Sequence, residues 1–99
     1  MPRIRTHPGE VLKEEYMLPL GLSANRLAID LGVPATRIGD IIRAENPRAV
    51  SADTALRLAR YFGTTPGFWM NLQSAYDLSK AETEKGKEIK ARVRPLERA

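Results

Sequence analysis

An all-α domain of five helices, followed by a charged extension, is the fold class this sequence predicts, and three observations carry it. Residues 23–44 hold two short segments of helical periodicity joined across Leu31-Gly32-Val33-Pro34, a joint short enough to be only a tight turn. Three further segments open on helix-start residues, at Pro8, Ser51 and Thr64 or Thr65, and carry apolar side chains at spacings of three and four. The chain has 99 residues, enough for one core that buries about 60–65% of the unfolded surface and not for a second.

In chain order, residues 1–6 (MPRIRT) read as a flexible arm, whose Arg3 and Arg5 either follow a phosphate backbone or are simply solvated. His7-Pro8-Gly9-Glu10 opens the first helix, with Pro8 in its first turn and Glu10 complementing the positive end of the dipole. Val11, Leu12, Tyr16 and Met17 form its buried stripe, and Pro19 is expected to close it. Leu18-Pro19-Leu20-Gly21-Leu22 is then a connector whose leucines plug the space beside the next unit.

Ser23 caps the second helix, Leu27, Ala28 and Leu31 make its apolar stripe, and Gly32 ends it. Pro34 suits the first turn of the third helix, which Ile38, Ile41 and Ile42 anchor to the core. Glu45–Val50 is a loop with Asn46-Pro47 as its turn starter. Ser51 caps the fourth helix, for which Ala52, Ala55, Leu56, Leu58, Ala59 and Phe62 supply the core face before Gly63 stops it. The fifth, with Pro66 in its first turn, carries Phe68, Trp69, Leu72, Ala75 and Tyr76 on one face.

From Ser79 the chain is highly charged. Ile89, Val93 and Leu96 keep a thin apolar stripe that Gly86 should interrupt and Pro95 should end. It is either a helix packed on a partner or a segment that orders on binding. The expected organisation is thus an arm at 1–6, a helix-turn-helix domain at 7–78 with its reading unit at 23–44, and an extension at 79–99.

Function starts from the face the three isoleucines leave outward: Ala35, Thr36, Arg37, Gly39, Asp40 and Arg43. Small, hydroxyl and guanidinium groups on the first two turns of a short helix fit a major groove about 12 Å wide and reach base edges. The same pattern also describes an αα-hairpin of a helical bundle whose exposed polar groups are only solvated. The net charge of +4 decides little. Residues 1–50 hold seven Arg/Lys against six Asp/Glu and residues 51–78 two of each, whereas residues 79–99 hold seven against four.

Other chemistries find little support. There is no cysteine, and the single histidine, His7, would need carboxylates to supply every other ligand, so no metal, cofactor or catalytic site is expected. Glu14-Glu15 and Glu82/Glu84 sit on solvated stretches. No apolar run approaches the ~18 residues of a membrane span, and a cytoplasmic protein is expected.

Ser23-x3-Leu27-Ala28-x2-Leu31-Gly32-Val33-Pro34-x3-Ile38-x2-Ile41 resembles the Cro/C1-type (XRE) helix-turn-helix. Three flanking motifs narrow the resemblance to the HigA/VapI antitoxins of bacterial toxin–antitoxin modules: His7-Pro8-Gly9-Glu10, Ala52-Asp53-Thr54-Ala55-Leu56-Arg57-Leu58-Ala59, and Gly63-Thr64-Thr65-Pro66-x-Phe68-Trp69-Met70-Asn71-Leu72-Gln73. The match covers roughly residues 5–78. The resemblance implies a five-helix lambda-repressor-like domain with Ala35, Thr36, Arg37 and Asp40 toward the bases. It places Ser23, Asn25, Arg26, Arg43 and Arg48 toward phosphates, which set register without carrying sequence information.

The resemblance also implies double-stranded operator DNA, a HigB-like ribonuclease toxin and repression of the protein's own operon. Because one reading helix covers few base pairs, a homodimer on a palindrome is expected, with Phe68, Trp69, Leu72 and Tyr76 as the two-fold contact. A stand-alone regulator of plasmid or phage type, and a helical interaction domain without DNA binding, are the other readings. Three departures from the wider family stand out: Ala35 and Thr36 where phage repressors commonly carry glutamines, Met17 and Ile42 where a buried arginine–glutamate pair is usual, and Arg43-Ala44-Glu45 where a glycine usually follows the reading helix. No base preference transfers across the first of these.

Overall fold

His7 starts the fold by capping the first helix: its Nδ1 accepts the Gly9 N–H at 2.9 Å while its ring is buried. The computed structural model describes residues 3–97; Met1 and Pro2 of the expected arm, and Arg98 and Ala99 of the expected extension, lie outside them. Helix α1 (residues 8–20) runs as α over Pro8–Val11, as π over Leu12–Met17 and again as α over Leu18–Leu20. Pro19 therefore does not close it. The π turn, in which Leu18 N–H bonds back to the Lys13 carbonyl, leaves a carbonyl without a helical donor and so accommodates a residue that has no N–H. The helix ends two residues later at Gly21, with Leu22 N–H bonded to the Met17 carbonyl. Leu18 and Leu20, now on an outward turn, are exposed rather than plugging a gap, and of that stretch Leu22 packs on the core.

Helix α2 (Ala24–Leu31) is capped by Ser23 Oγ, which accepts the Arg26 N–H. It stops at Gly32, whose φ of 72° is left-handed backbone that a side chain would strain. There Val33 N–H reaches the Ala28 carbonyl at 3.0 Å and Gly32 N–H the Ile29 carbonyl at 3.1 Å, turning the chain within three residues. Helix α3 (Ala35–Ile42) follows. Pro34 stands at its N-cap with extended ψ, one residue ahead of the expected first turn.

Helix α4 (Ala52–Phe62) is capped by Ser51, and helix α5 (Pro66–Arg92) by Thr65 Oγ1 accepting the Phe68 N–H. On α4 the buried residues are Thr54, Ala55, Leu58 and Ala59, a stripe at i, i+1, i+4, i+5. Leu56 points roughly opposite and is 60% exposed, and Ala52 is exposed too, so neither belongs to the core as expected. The core is built from Leu12, Met17, Leu27, Leu31, Ile38, Ile41, Val50, Leu58 and Trp69.

Helix α5 also departs from expectation. It passes through Gly86 without a break and ends at Arg92, so position 79 falls inside a helix rather than at a boundary. One glycine costs about 1 kcal/mol, which cooperative extension of an already nucleated helix absorbs. The result is a molecule 57 Å long by 27 and 21 Å. The Arg5 N–H donates to Ser79 Oγ at 2.8 Å, so that end of the arm is tied to α5 rather than frayed.

The His7 cap makes stability depend on pH. Burial holds the His7 pKa below its ordinary 6.5, against a smaller opposing pull from Asp77. Protonation would also remove the Nδ1 acceptor. Because the unfolded chain binds the proton more readily, this contribution is fully present above about pH 6.5 and is lost as pH falls through the lower folded pKa. Urea unfolding of wild type and of His7→Asn, compared between pH 7.5 and 5, checks it: the wild type should lose stability over that interval by more than the variant.

Candidate nucleic-acid interface

Helix α3 is anchored by Ile38 and Ile41, both essentially inaccessible, which fixes the opposite side outward. Ala35 and Thr36 are exposed there, and Arg37, Gly39 and Asp40 half-buried. Positions 36, 37 and 40 are neighbours on a helix surface, so the reading residues expected from the sequence form one contiguous patch.

Two members of that patch are held by other elements. The Arg37 Nη1 lies 3.9 Å from Asp53 Oδ1 at the start of α4, and its Nε is buried with no partner among the described residues. Asp53 also accepts from Arg57 Nε at 2.8 Å, and that bond holds its carboxyl below the usual range. Arg57 in turn donates from Nη1 to the Leu31 carbonyl at 2.8 Å, closing a link between α4 and the end of α2. Asp40 accepts from Arg43 Nη1 at 3.3 Å, while Arg43 Nε donates to the Asn46 carbonyl. This clamp stabilises the turn after α3, where Asn46 has a φ of 46°, and it stands where the family's glycine is missing.

The flanking candidates differ in how free they are. At the start of α2, Ser23, Asn25 and Arg26 are exposed, and the Ser23 hydroxyl already serves as the cap. Arg26 Nε donates to Asp30 Oδ2 at 2.9 Å, so its guanidinium lies back along α2. The Tyr61 hydroxyl donates to the same oxygen at 2.6 Å; that bond, with Arg26, lowers the Asp30 pKa, and the bond to Asp30 raises that of Tyr61 against a smaller opposing pull from Arg26. Arg48 is exposed and makes no ion pair among the described residues, while its backbone N–H is fixed to the Asp40 carbonyl at 2.8 Å.

The expected two-fold contact needs correction. Trp69 is wholly buried within one copy of the chain, its Nε1–H donating to Thr64 Oγ1 and its ring among Tyr16, Phe62 and Phe68. Phe68 is 37% exposed, and Leu72 and Tyr76 are half-buried. The reason is Tyr16, which brings a face of α1 to these rings and closes them within one copy.

Two residues that position the site carry no obvious signal as readers. Gln73 is buried, accepts the Val50 N–H at 2.7 Å and donates to Asp77, fixing the end of the loop that follows α3 against α5. A polar residue four positions after Trp69, on an apolar face, is the trace of it in the sequence. Gly9 lies where an added Cβ would sit 1.9 Å from the Ile41 carbonyl oxygen, so α1 and the last turn of α3 touch backbone to backbone.

An all-helical fold presenting a short convex helix of this kind defines a helix-turn-helix protein of the Cro/C1 (XRE) type, and the pattern of the family described as Helix-turn-helix matches residues 13–69. Virulence-associated protein I of Dichelobacter nodosus is 54% identical over 86% of this chain and 75% of that protein. Antitoxin HigA-1 of Vibrio cholerae is 36% identical over 89% of this chain and 80% of that one. Among solved structures, the Pseudomonas aeruginosa antitoxin HigA with the higBA promoter superposes with a TM-score of 0.88 at 44% identity, covering 96% of this chain and all of that one. The antitoxin GraA in complex with its operator gives 0.90 at 44% identity, covering 99% and 97%. The chain belongs to the HigA/VapI-type antitoxins of the helix-turn-helix family, a family of DNA-binding regulators rather than of enzymes.

Proposed function

We propose that this protein is the antitoxin of a type II toxin–antitoxin module: in the cytoplasm it binds operator DNA as a homodimer, represses its own operon and neutralises a HigB-like ribonuclease toxin. The observation that carries the DNA half is the outward patch of α3, where Thr36, Arg37 and Asp40 stand clear of the core that Ile38 and Ile41 enter. Support comes from GraA and P. aeruginosa HigA, each solved with its own operator or promoter. The toxin half rests on the antitoxin names of the relatives.

Ala35, Thr36, Arg37 and Asp40 face the bases in this reading. Arg37 pairs with guanine O6 and N7, Asp40 accepts from cytosine N4, and Thr36 offers a methyl to thymine. Ser23, Asn25 and the first N–H groups of α2 meet one phosphate, Arg26 stands beside them, and Arg43 and Arg48 meet another across the turn. Phe68, Leu72 and Tyr76 remain for the two-fold contact after Trp69 is assigned to the core. A dimer sets two reading helices about one helical turn of DNA apart, about 34 Å.

Gel shift on the protein's own upstream palindrome at several salt concentrations tests the DNA half. Arg48→Ala should weaken binding to every sequence and reduce the slope of log K against log salt by about one, whereas Arg37→Ala should erode discrimination between operator and scrambled duplex by roughly tenfold. Co-expression pull-down with the product of the adjacent gene tests the toxin half. A footprint on the shared promoter with no retained partner would favour a stand-alone regulator.

A further inference from the structure

We propose that Asp53, on α4 and outside the reading helix, is a specificity-determining residue that positions Arg37 for its base. The proposal rests on α3 reading DNA as set out above. An arginine on a short convex helix has four rotatable bonds, and each must be fixed before a bidentate base contact can discriminate. Arg37 is restrained at two points. Its Nε is buried among protein atoms with no hydrogen-bond partner among the described residues, and its Nη1 faces Asp53 Oδ1 at 3.9 Å.

At that distance Asp53 is a charge contact rather than a hydrogen bond, so it orients the guanidinium without consuming its donors. The Nη2 hydrogens and those of Nη1 stay available to a guanine edge. Asp53 is itself fixed by Arg57 Nε at 2.8 Å, and Arg57 by the Leu31 carbonyl at 2.8 Å. The chain of contacts therefore runs from the end of α2, through α4, to the reading helix. All three helices thus agree on one Arg37 position. A carboxylate so placed is also repelled by any phosphate nearby, so it lowers affinity for DNA at large while sharpening the choice among sequences.

The experiment is selection of full-length protein on a duplex library randomised across one half-site, for wild type, Asp53→Asn, Arg37→Ala, Arg57→Ala and the Asp53→Asn/Arg37→Ala double variant, with thermal melting of each. Asp53→Asn should flatten preference by roughly tenfold at the same base pairs that Arg37→Ala flattens, while affinity for scrambled duplex rises. The double variant should match Arg37→Ala alone. Arg57→Ala, which removes the 2.8 Å partner that fixes Asp53 but leaves the carboxylate on α4, should flatten the preference at the same base pairs by less than Asp53→Asn does, and lower the melting temperature.

Retained preference in Asp53→Asn at the Arg37 positions overturns the proposal, as does additive loss in the double variant or an equal flattening in Arg57→Ala. Absence of any enriched sequence with folded wild type overturns the DNA reading and this proposal together.

Discussion

Gly9→Ala is expected to lower the melting temperature by roughly 10–20 °C, the reverse of what the same change does in an ordinary helix. Within a helix, alanine is favoured over glycine by about 0.5–1 kcal/mol. Here the new methyl would sit 1.9 Å from the Ile41 carbonyl oxygen and 2.8 Å from its carbon. Those atoms are backbone, in the last turn of a helix whose neighbouring side chain is 1% exposed, so no rotamer change relieves the clash. Overpacking against an unyielding neighbour costs about 3 kcal/mol, which for a domain of this size is several degrees per kcal/mol.

The consequence reaches function because the clash is with α3. Relief requires α1 and the reading helix to separate, and the end of α3 carries Ile42 and Arg43 along with it. Operator affinity of Gly9→Ala should therefore fall even at temperatures where the variant is fully folded. Gly86→Ala is the matched control: its Cβ would meet only the Glu82 side chain, at 3.4 Å, and it should be neutral to stabilising. A Gly9→Ala protein that melts with or above the wild type would contradict the backbone contact.

These residues show which parts of the fold were legible in the sequence. Ser23, Gly32, Ser51 and Gly63 act within four residues of themselves, through caps and left-handed turns, and each stands where local rules put it. The isoleucines of α3 were readable for the same reason, because periodicity on one helix specifies its own buried side. What local rules missed are the long-range agreements. Pro19 lies inside a helix because a π turn precedes it, Leu56 lies off the stripe that α4 buries, and Gly9 is dictated by a carbonyl 32 residues away.

The site divides along the same line. The patch Ala35, Thr36, Arg37 and Asp40 followed from helix geometry, whereas the restraint on Arg37 comes from Asp53, on another helix, and could be seen only once α4 was folded onto it. Arg26 shows the limit of charge counting. It stands in the first turn of α2, yet its guanidinium is committed to Asp30, which Tyr61 of α4 shares.

Trp69→Ala should strip a large share of the stability of each copy rather than merely separate two copies of it. The ring is 0% exposed, its indole N–H is satisfied by Thr64 at 2.8 Å, and Tyr16 and Phe68 lie with centroids 5.3 and 5.0 Å away. Truncation removes a side chain that joins α5 to both α1 and the Phe62 end of α4, and it leaves a cavity that three aromatic neighbours cannot fill without leaving their own contacts. Losses of about 3–5 kcal/mol are usual for such a change, against a total stability of about 5–15 kcal/mol for a domain. As the chain's single tryptophan, it also reports on itself: wild-type emission should be blue-shifted and insensitive to dilution, as for a ring buried within one copy. Had Trp69 been the two-fold contact, its emission would shift red on dilution and Trp69→Ala would give a folded monomer. Phe68→Ala, which removes a ring already 37% exposed, should cost far less stability, and is therefore the substitution that can expose a dimer contact without destroying the domain that makes it.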